Sequence, residues 1–575
     1  MVKIGQKMKL YWAITCQLIL ILLFIGNLSK GQTRESEKYF VQFTDKKRNS
    51  FDPYTYFDIN AIERRIDNNY PIYHFTDWPI NKAYISKIKG IADTLLSYSR
   101  WLNGVTIKTG LHEIELIKSL PFVETVEPLQ STCALTTHLI SNQDSARKND
   151  IQNINSYMYE DLSKSHKDLL KKQTERMGGN YFSERDIDGA GIRIAVFDAG
   201  FPSVDKHIVF EHIRKNNKIL KTKDFLKNKE NVYKYNSHGT SVLSCIAGIL
   251  DGKKIGLATG AEFLLARTES GIFEPYSEEE NWLSAAEWAD KHGAHIINSS
   301  LGYTHNRYFP KEMDGKKSLV ARAANIAASK GILVVNAAGN DGDSEWKTIG
   351  TPADADSVLS IGGTDPDSDF HIDFSSYGPT ADKRLKPNVC AYGLAVVAIP
   401  GNSKLSFENA EEKALSKKNT GRISTAYGTS FSSPLVCGFA ACAWQSRPTL
   451  SNMDIFREIE MSGDLYPYFD YAHGYGIPQA KYFTKRLKSA VKPTFKISVS
   501  NNILKVIIEK NTWNNSESET TNNLFYHIEH KAGNLKKYLV LSVYDKNVME
   551  FNITDFEKGS KLRIHYKGYT EEFVF

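Results

Sequence analysis

The 575-residue chain predicts an α/β fold: a doubly wound, mostly parallel sheet, preceded by a small α+β domain and followed by a β-sandwich-like domain. Three observations predict it. Over residues 189–485, short apolar runs flanked by glycines alternate with helical patterns, the texture of buried parallel strands and crossover helices. Residues 37–128 mix strand-like and helical stretches over a length that suits one small domain. Residues 491–575 alternate polar and apolar positions between turn-rich breaks, the period of half-buried antiparallel strands.

Residues 1–31 read as an export signal. Lys3, Lys7 and Lys9 precede an almost wholly apolar run, Leu10 to Ile25, and Ser29 and Gly31 are small residues just before Gln32. The run is shorter than the roughly 20 residues of a spanning helix, so cleavage rather than anchoring is expected. Cys16 lies inside the run without a small residue before it, which argues against a lipoprotein. The expected location is outside the cell or in the periplasm or cell envelope, with no membrane attachment in the mature form. Composition agrees with a globular chain: 41% hydrophobic and 24% charged residues exclude a disordered, collagen-like or multi-span protein. The net charge is +6, and loss of Lys3, Lys7, Lys9 and Lys30 with the signal leaves +2. Nucleic acid is therefore not an expected partner. Cys133, Cys245, Cys390, Cys437 and Cys442 would remain, an odd number without metal-site spacing, and read as buried small hydrophobes.

Residues 37–128 open with the strand Tyr39–Phe43. Helical stretches follow at Ala61–Asp67 and Ala83–Leu96, and the region closes with Ile114–Ile117 and the strand-like Phe122–Val126. Residues 129–188 are polar and read as a linker plus a helical approach, Leu162–Met177. The strands expected next are Ile192–Phe197, Phe263–Ala266, Ile296–Ser300, Ile332–Ala338 and Val358–Ile361. Residues 401–424 read as a long solvated loop. Six strands are expected at the end: Phe495–Ser500, Ile503–Lys510, Leu524–His530, Tyr538–Tyr544, Met549–Ile553 and Leu562–Tyr566.

Three sites in the central segment carry chemistry. Asp198 ends a buried strand, where α/β sheets place their active sites. His238 sits in Ser237-His238-Gly239-Thr240 at the start of an apolar helix. Ser430 sits in Gly428-Thr429-Ser430-Phe431-Ser432-Ser433-Pro434, entering a helix whose dipole favours developing negative charge. Singly, each has an ordinary explanation: turn residue, surface histidine, N-cap. Together they form the set for acyl transfer, in which Ser attacks, His takes the proton and Asp orients the His. A strand ending in Ala337-Ala338-Gly339-Asn340 adds an amide for the oxyanion.

These blocks, in the order Asp198, His238, Asn340, Ser430, resemble the subtilisin-like serine proteases (subtilases). The resemblance implies Asp198, His238 and Ser430 as catalytic residues and Asn340 in the oxyanion hole. It implies that Asn298–Gly302 is the substrate-lining strand, with the backbone at Ser300, Leu301 and Gly302 pairing with peptide, and that Ala338 and Gly339 form a P1 wall. Ala199 departs from the usual Ser or Thr after the Asp, and Phe431 and Ser432 from the commoner Met and Ala. Tyr39–Phe43 and Leu120–Pro128 resemble the inhibitory propeptide found before such domains. The expected protein is thus a secreted endopeptidase made as a zymogen, cut between Gln130 and Arg185, with its own propeptide as intramolecular inhibitor and proteins or peptides as substrates. The alternative is a catalytically weak or inactive secreted binding protein of the same fold. No organic cofactor is implied; structural calcium is common in the family, and no liganding cluster stands out. An α/β-hydrolase would need Gly-x-Ser-x-Gly and the order Ser, Asp, His, neither of which is present. A zinc hydrolase would need a pattern such as His-Glu-x-x-His, which His112-Glu113 does not complete.

Overall fold

The computed structural model describes residues 36–47, 50–129, 158–270, 277–304, 307–401, 421–484, 492–508, 522–543 and 548–575. The expected export signal, Cys133 and residues 402–420 of the expected 401–424 loop lie outside the described residues; residues 421–424 are not loop but the buried start of a strand, Gly421–Tyr427. The chain divides into two compact units. One comprises residues up to 49 with 79–98 and 102–130; the other comprises 50–78, 99–101 and 131–575.

The larger unit is built on seven strands: β1 (Arg193–Asp198), β2 (Ile219–Asp224), β3 (Glu262–Arg267), β4 (Ile296–Ser299), β5 (Leu333–Ala337), β6 (Val358–Thr364) and β7 (Val389–Tyr392). They form one sheet in the order β7-β6-β5-β4-β1-β3-β2, and every pairing is parallel. β1, β4, β5 and β6 are buried at every position, which is why they read as unbroken apolar runs. All five strands expected here are present. The two not anticipated have physical excuses. β2 is an edge strand with exposed Leu220 and Lys221, and β7 is only four residues long.

The strand order reverses between β1 and β4, so a crevice opens outside their carboxyl ends. Phe197 of β1 and Asn336 of β5 both lie level with Ser299 of β4. The residues just beyond them therefore emerge at one edge. Four helices matter to that edge: α1 (His238–Ala247), α2 (Ser277–Lys291), α3 (Leu319–Ser329) and α4 (Thr429–Ser446). α4 is 18 residues long and buried at almost every position, with Phe439, Val436 and Cys437 in the main core.

At the C-terminus, Phe495–Ser500, Ile503–Ile508 and Val548–Asn552 form one antiparallel sheet. Leu535–Ser542, Asn523–Glu529, Lys561–Tyr566 and Tyr569–Val574 form another. Phe495, Val506, Leu524 and Ile564 share one core between the two sheets. The last strand was not among the six expected; the two-residue turn Lys567-Gly568 folds it back on its neighbour.

The smaller unit has a four-stranded sheet in which Glu37–Phe43 pairs antiparallel with both Gly104–Thr109 and Val123–Pro128. Helices Lys82–Lys89 and Leu111–Lys118 cover it through Ile88, Ile114 and Ile117, packed on Val41, Val105 and Ile107. The helix expected over Ala83–Leu96 ends at Lys89, and Thr94–Ser99 is a strand. Gly90 follows the last helical residue, and its N–H bonds back to the Ser86 and Lys87 carbonyls. The helix expected at Ala61–Asp67 spans Ile59–Asp67, but belongs to the larger unit.

Cys245, Cys390, Cys437 and Cys442 are buried free thiols, and burial pushes each one's pKa up. Among the described residues no helix is long and apolar enough to cross a membrane. Ile296, fully buried in central β4, tests the sheet. Ile296→Ala is expected to lower unfolding free energy by about 2–5 kcal/mol, read by denaturant titration of a Ser430→Ala chain.

Candidate active site

β1 delivers Asp198 to the crevice with no solvent exposure. Its Oδ1 accepts the Ala199 N–H at 2.8 Å. His238, first residue of α1, places Nδ1 2.9 Å from Oδ1 and 3.0 Å from Oδ2. A carboxylate only accepts, so Nδ1 carries the proton and the neutral ring keeps its lone pair on Nε2. Burial pulls the His238 pKa down, but the charge and hydrogen bond of Asp198 outweigh it and lift the imidazole above its ordinary 6.5. The pair therefore favours the folded chain fully below pH 6.5, and that contribution fades as pH rises through the folded-state value. The ring remains 29% exposed, enough to meet a substrate.

Ser430 is the second residue of α4. Its Oγ donates to the Ser300 carbonyl at 3.1 Å and, among the described residues, not to His238. The neighbouring Phe431 ring stands 5.6 Å from the His238 ring, which fixes the two blocks side by side. Asn340 follows β5. Its Oδ1 accepts the Thr429 N–H at 2.9 Å, and the Thr429 hydroxyl lies 3.0 Å away. That orients the amide, leaving Nδ2 to face away as a donor. Gly428 has φ +137°, and a Cβ built there would sit 3.6 Å from Asn340 Nδ2 and 3.7 Å from Ser430 N. Glycine at 428 thus leaves open the space beside the Asn340 amide and the Ser430 N–H.

Ser300, Leu301 and Gly302 continue β4 past the sheet. Leu301 O accepts from Asn336 Nδ2 at 3.0 Å, which holds the segment in place. The Gly302 N–H and C=O make no hydrogen bond among the described residues, and a Cβ there would meet nothing within 4 Å. Ala338 is buried, and its carbonyl accepts from Gly350 N at 2.9 Å; the Gly339 carbonyl accepts from Ser376 N at 3.0 Å. Every residue singled out in the sequence is thus at this one edge.

Other residues were not legible as site residues. Thr429 orients Asn340. Ser433 Oγ donates to Asn298 Oδ1 at 3.1 Å, and Asn298 Nδ2 to Ser300 Oγ at 3.2 Å. Arg267 ends β3 beside Asp198, donates from Nε to the Ala199 carbonyl at 3.1 Å, and pairs with Asp224 at 3.1 Å. Its position at a strand end was the available signal. Ser432, one of the unusual residues, donates to the Tyr392 carbonyl at 3.1 Å, so its hydroxyl is satisfied in the core.

Residues 189–476 match the subtilase family, peptidase S8, and residues 38–148 match the peptidase S8 propeptide domain of Bacteroidota. The chain belongs to the subtilase family. Alkaline elastase YaB of a Bacillus species is 26% identical over 306 residues, 52% of this chain and 66% of that one. Serine protease AprX of Bacillus subtilis is 28% identical over 306 residues, 50% of this chain and 65% of that one. Both alignments fall just short of two thirds of the relative's length. Fervidolysin of Fervidobacterium pennivorans, a keratinolytic enzyme related to subtilisin, superposes with TM-score 0.50 at 16% identity, covering 93% of this chain and 71% of that structure. This subtilase therefore shares that fold. Among the described residues no group of three or more His, Cys, Asp or Glu is placed to hold a metal ion.

If Asp198 lifts His238, proton NMR of a Ser430→Ala chain should show the His238 ring titrating above 6.5. In Ser430→Ala with Asp198→Asn the midpoint should fall, and an unmoved midpoint would contradict the pairing.

Proposed function

We propose that this subtilase is a secreted serine endopeptidase, made as a zymogen, that hydrolyses peptide bonds through an acyl-enzyme on Ser430. The observation that carries the reading is His238, paired through Nδ1 with the buried Asp198 carboxylate and standing beside the helix start that carries Ser430, whose neighbour Thr429 binds Asn340.

A peptide lies along Ser300–Gly302 as an added strand, using the unpaired Gly302 backbone groups. Ala338 and Gly339 wall the pocket for the residue before the scissile bond. Ser430 Oγ turns from the Ser300 carbonyl toward His238 Nε2, which takes its proton as the oxygen attacks the carbonyl carbon. The carbonyl oxygen becomes an anion held by Asn340 Nδ2 and the Ser430 N–H. Asp198 holds the ring in place and offsets its positive charge. The protonated His238 then gives its proton to the leaving amine, and the C–N bond breaks. Water, deprotonated by the same histidine, releases the acyl group and restores Ser430. Substrates are proteins or peptides. Residues before the cut, which match the family's propeptide, supply the intramolecular inhibitor.

A fluorophosphonate probe should label the processed wild type and not Ser430→Ala; equal labelling, or equal peptide hydrolysis, would sink the assignment. Asn340→Ala should lower kcat by about 10²–10³ with little change in KM, a magnitude carried over from a subtilisin. Because the base must be neutral, kcat/KM should rise with pH, with its acidic limb centred above 6.5. Ser430→Ala should accumulate as an uncut chain after signal removal in a protease-free host.

A further inference from the structure

Away from the catalytic edge, the larger unit opens into a cleft of about 710 Å³. Lys311, Lys347 and Lys383 line it with Trp346, Tyr377 and Tyr538, and among the described residues no carboxylate does. All three lysines are exposed. The carboxylates adjoining two of them are engaged elsewhere. Glu312 accepts the Phe309 N–H at 2.9 Å, and Asp382 accepts the Thr380 hydroxyl at 2.6 Å and Arg384 Nε at 2.8 Å. The lining therefore leaves its own positive charge uncompensated.

Two of the lysines stand on unusual backbone. Lys347 has φ +48° and Lys383 φ +72°, the left-handed region that glycine enters without cost. Turn bonds hold both: Tyr377 N donates to the Lys347 carbonyl at 3.1 Å, and Lys383 N to the Thr380 carbonyl at 2.9 Å. The wall that carries Tyr538 comes from the C-terminal domain, on the strand Leu535–Ser542. Val540 of that strand packs with Leu465 and Tyr468, and His527 on the neighbouring strand bonds to the Phe469 carbonyl. The wall is thus fixed to the catalytic body.

The rest of the lining adjoins the P1 wall. Thr348 and Tyr377 pair in a parallel bridge. Ser376, next to Tyr377, bonds to the Gly339 carbonyl, and Gly350, two residues after Thr348, to that of Ala338. A polypeptide held for cutting reaches the cleft with residues further along its own chain, at about 3.3–3.6 Å per extended residue.

We propose that this cleft is a second binding site for an acidic segment of the protein substrate, remote from the bond that is cut. The catalytic body and the C-terminal domain form it jointly. The proposal rests on the endopeptidase reading. The three ammonium groups receive carboxylates, and the aromatic rings lie against the apolar parts of the segment. An anionic polysaccharide carries the same charge, but the neighbouring P1 wall favours a chain already held there.

Two measurements test it. First, a peptide that the processed enzyme cuts is extended by a run of aspartates or by the same run of asparagines, on either side of the scissile bond. On one side the aspartate tail should raise kcat/KM about tenfold over asparagine, the sum of three exposed ion pairs of modest strength. High salt, or Lys311→Glu with Lys347→Glu and Lys383→Glu, should abolish the advantage and leave cleavage of the untailed peptide unchanged. Where the reversed charges impair folding, Lys311→Gln, Lys347→Gln and Lys383→Gln carry the same expectation. Equal cleavage of the two tailed peptides on both sides, or an advantage that the substituted chain keeps, would overturn the proposal. Second, the Ser430→Ala chain is titrated with a fluorescein-labelled aspartate tail and followed by anisotropy. The tail should bind, and the lysine substitutions should abolish binding. Binding of chondroitin sulfate and not of the tail would overturn the proposal in favour of a polysaccharide. Tail binding by Ser430→Ala, with no peptide cut by the chain whose Ser430 is intact, would refute the endopeptidase reading and leave an acidic-peptide site.

Discussion

A buried carboxylate governs the arrangement of this subtilase. Asp198 has no exposure, and its oxygens are met by the Ala199 N–H and the His238 ring. To supply these partners, β1 must end at the crevice, α1 must begin there, and the ring must present its protonated nitrogen inward. The outward nitrogen is then fixed as a base without further machinery. Arg267 extends the same logic one layer out. It grips the Ala199 carbonyl while its own charge is spent on Asp224, so it positions the strand end without competing for Asp198.

The sequence made the centre of the sheet legible because β1, β4, β5 and β6 are buried on both faces and carry unbroken apolar runs. The edge strand β2 carries lysines and hides in the polar background. The three catalytic blocks were visible because their chemistry is rare in combination. The contacts that orient them were not. Thr429, Asn298 and Ser433 lie inside the motif blocks, but their orienting role rests on hydrogen bonds such as Thr429 to Asn340 and Ser433 to Asn298, between elements far apart in the chain, which nothing local marks.

Domain boundaries show the same limit. Residues 37–128 read as one α+β stretch, and along the chain they hold four strands and the helices between them. Compactness divides them differently, because Arg64 and Arg65 find their counter-charges on Asp290 and Asp77 rather than on the four-stranded sheet. Two adjacent arginines on a short helix look like a solvated face. Only the distant acid Asp290, in the last turn of α2, reveals that they are interior. The departures at Phe431 and Ser432 are, by contrast, absorbed locally. Phe431 makes a ring contact with His238 and Ser432 donates to the Tyr392 carbonyl, while nothing in the structure explains Ala199.

The strand order β7-β6-β5-β4-β1-β3-β2 also bears on time. β1 pairs with β4 although β2 and β3 lie between them in the chain, and α4, which fills the core, comes from far later. Contacts this non-local require long loops to close before they gain anything, so folding is slow. A high barrier between the two states can also slow unfolding. If the proposed peptide cleavage holds, each molecule works among copies that can cut it, and that matters more than the depth of the native well. An opened molecule is food for its neighbours, and how long each one lasts is decided by how seldom it opens.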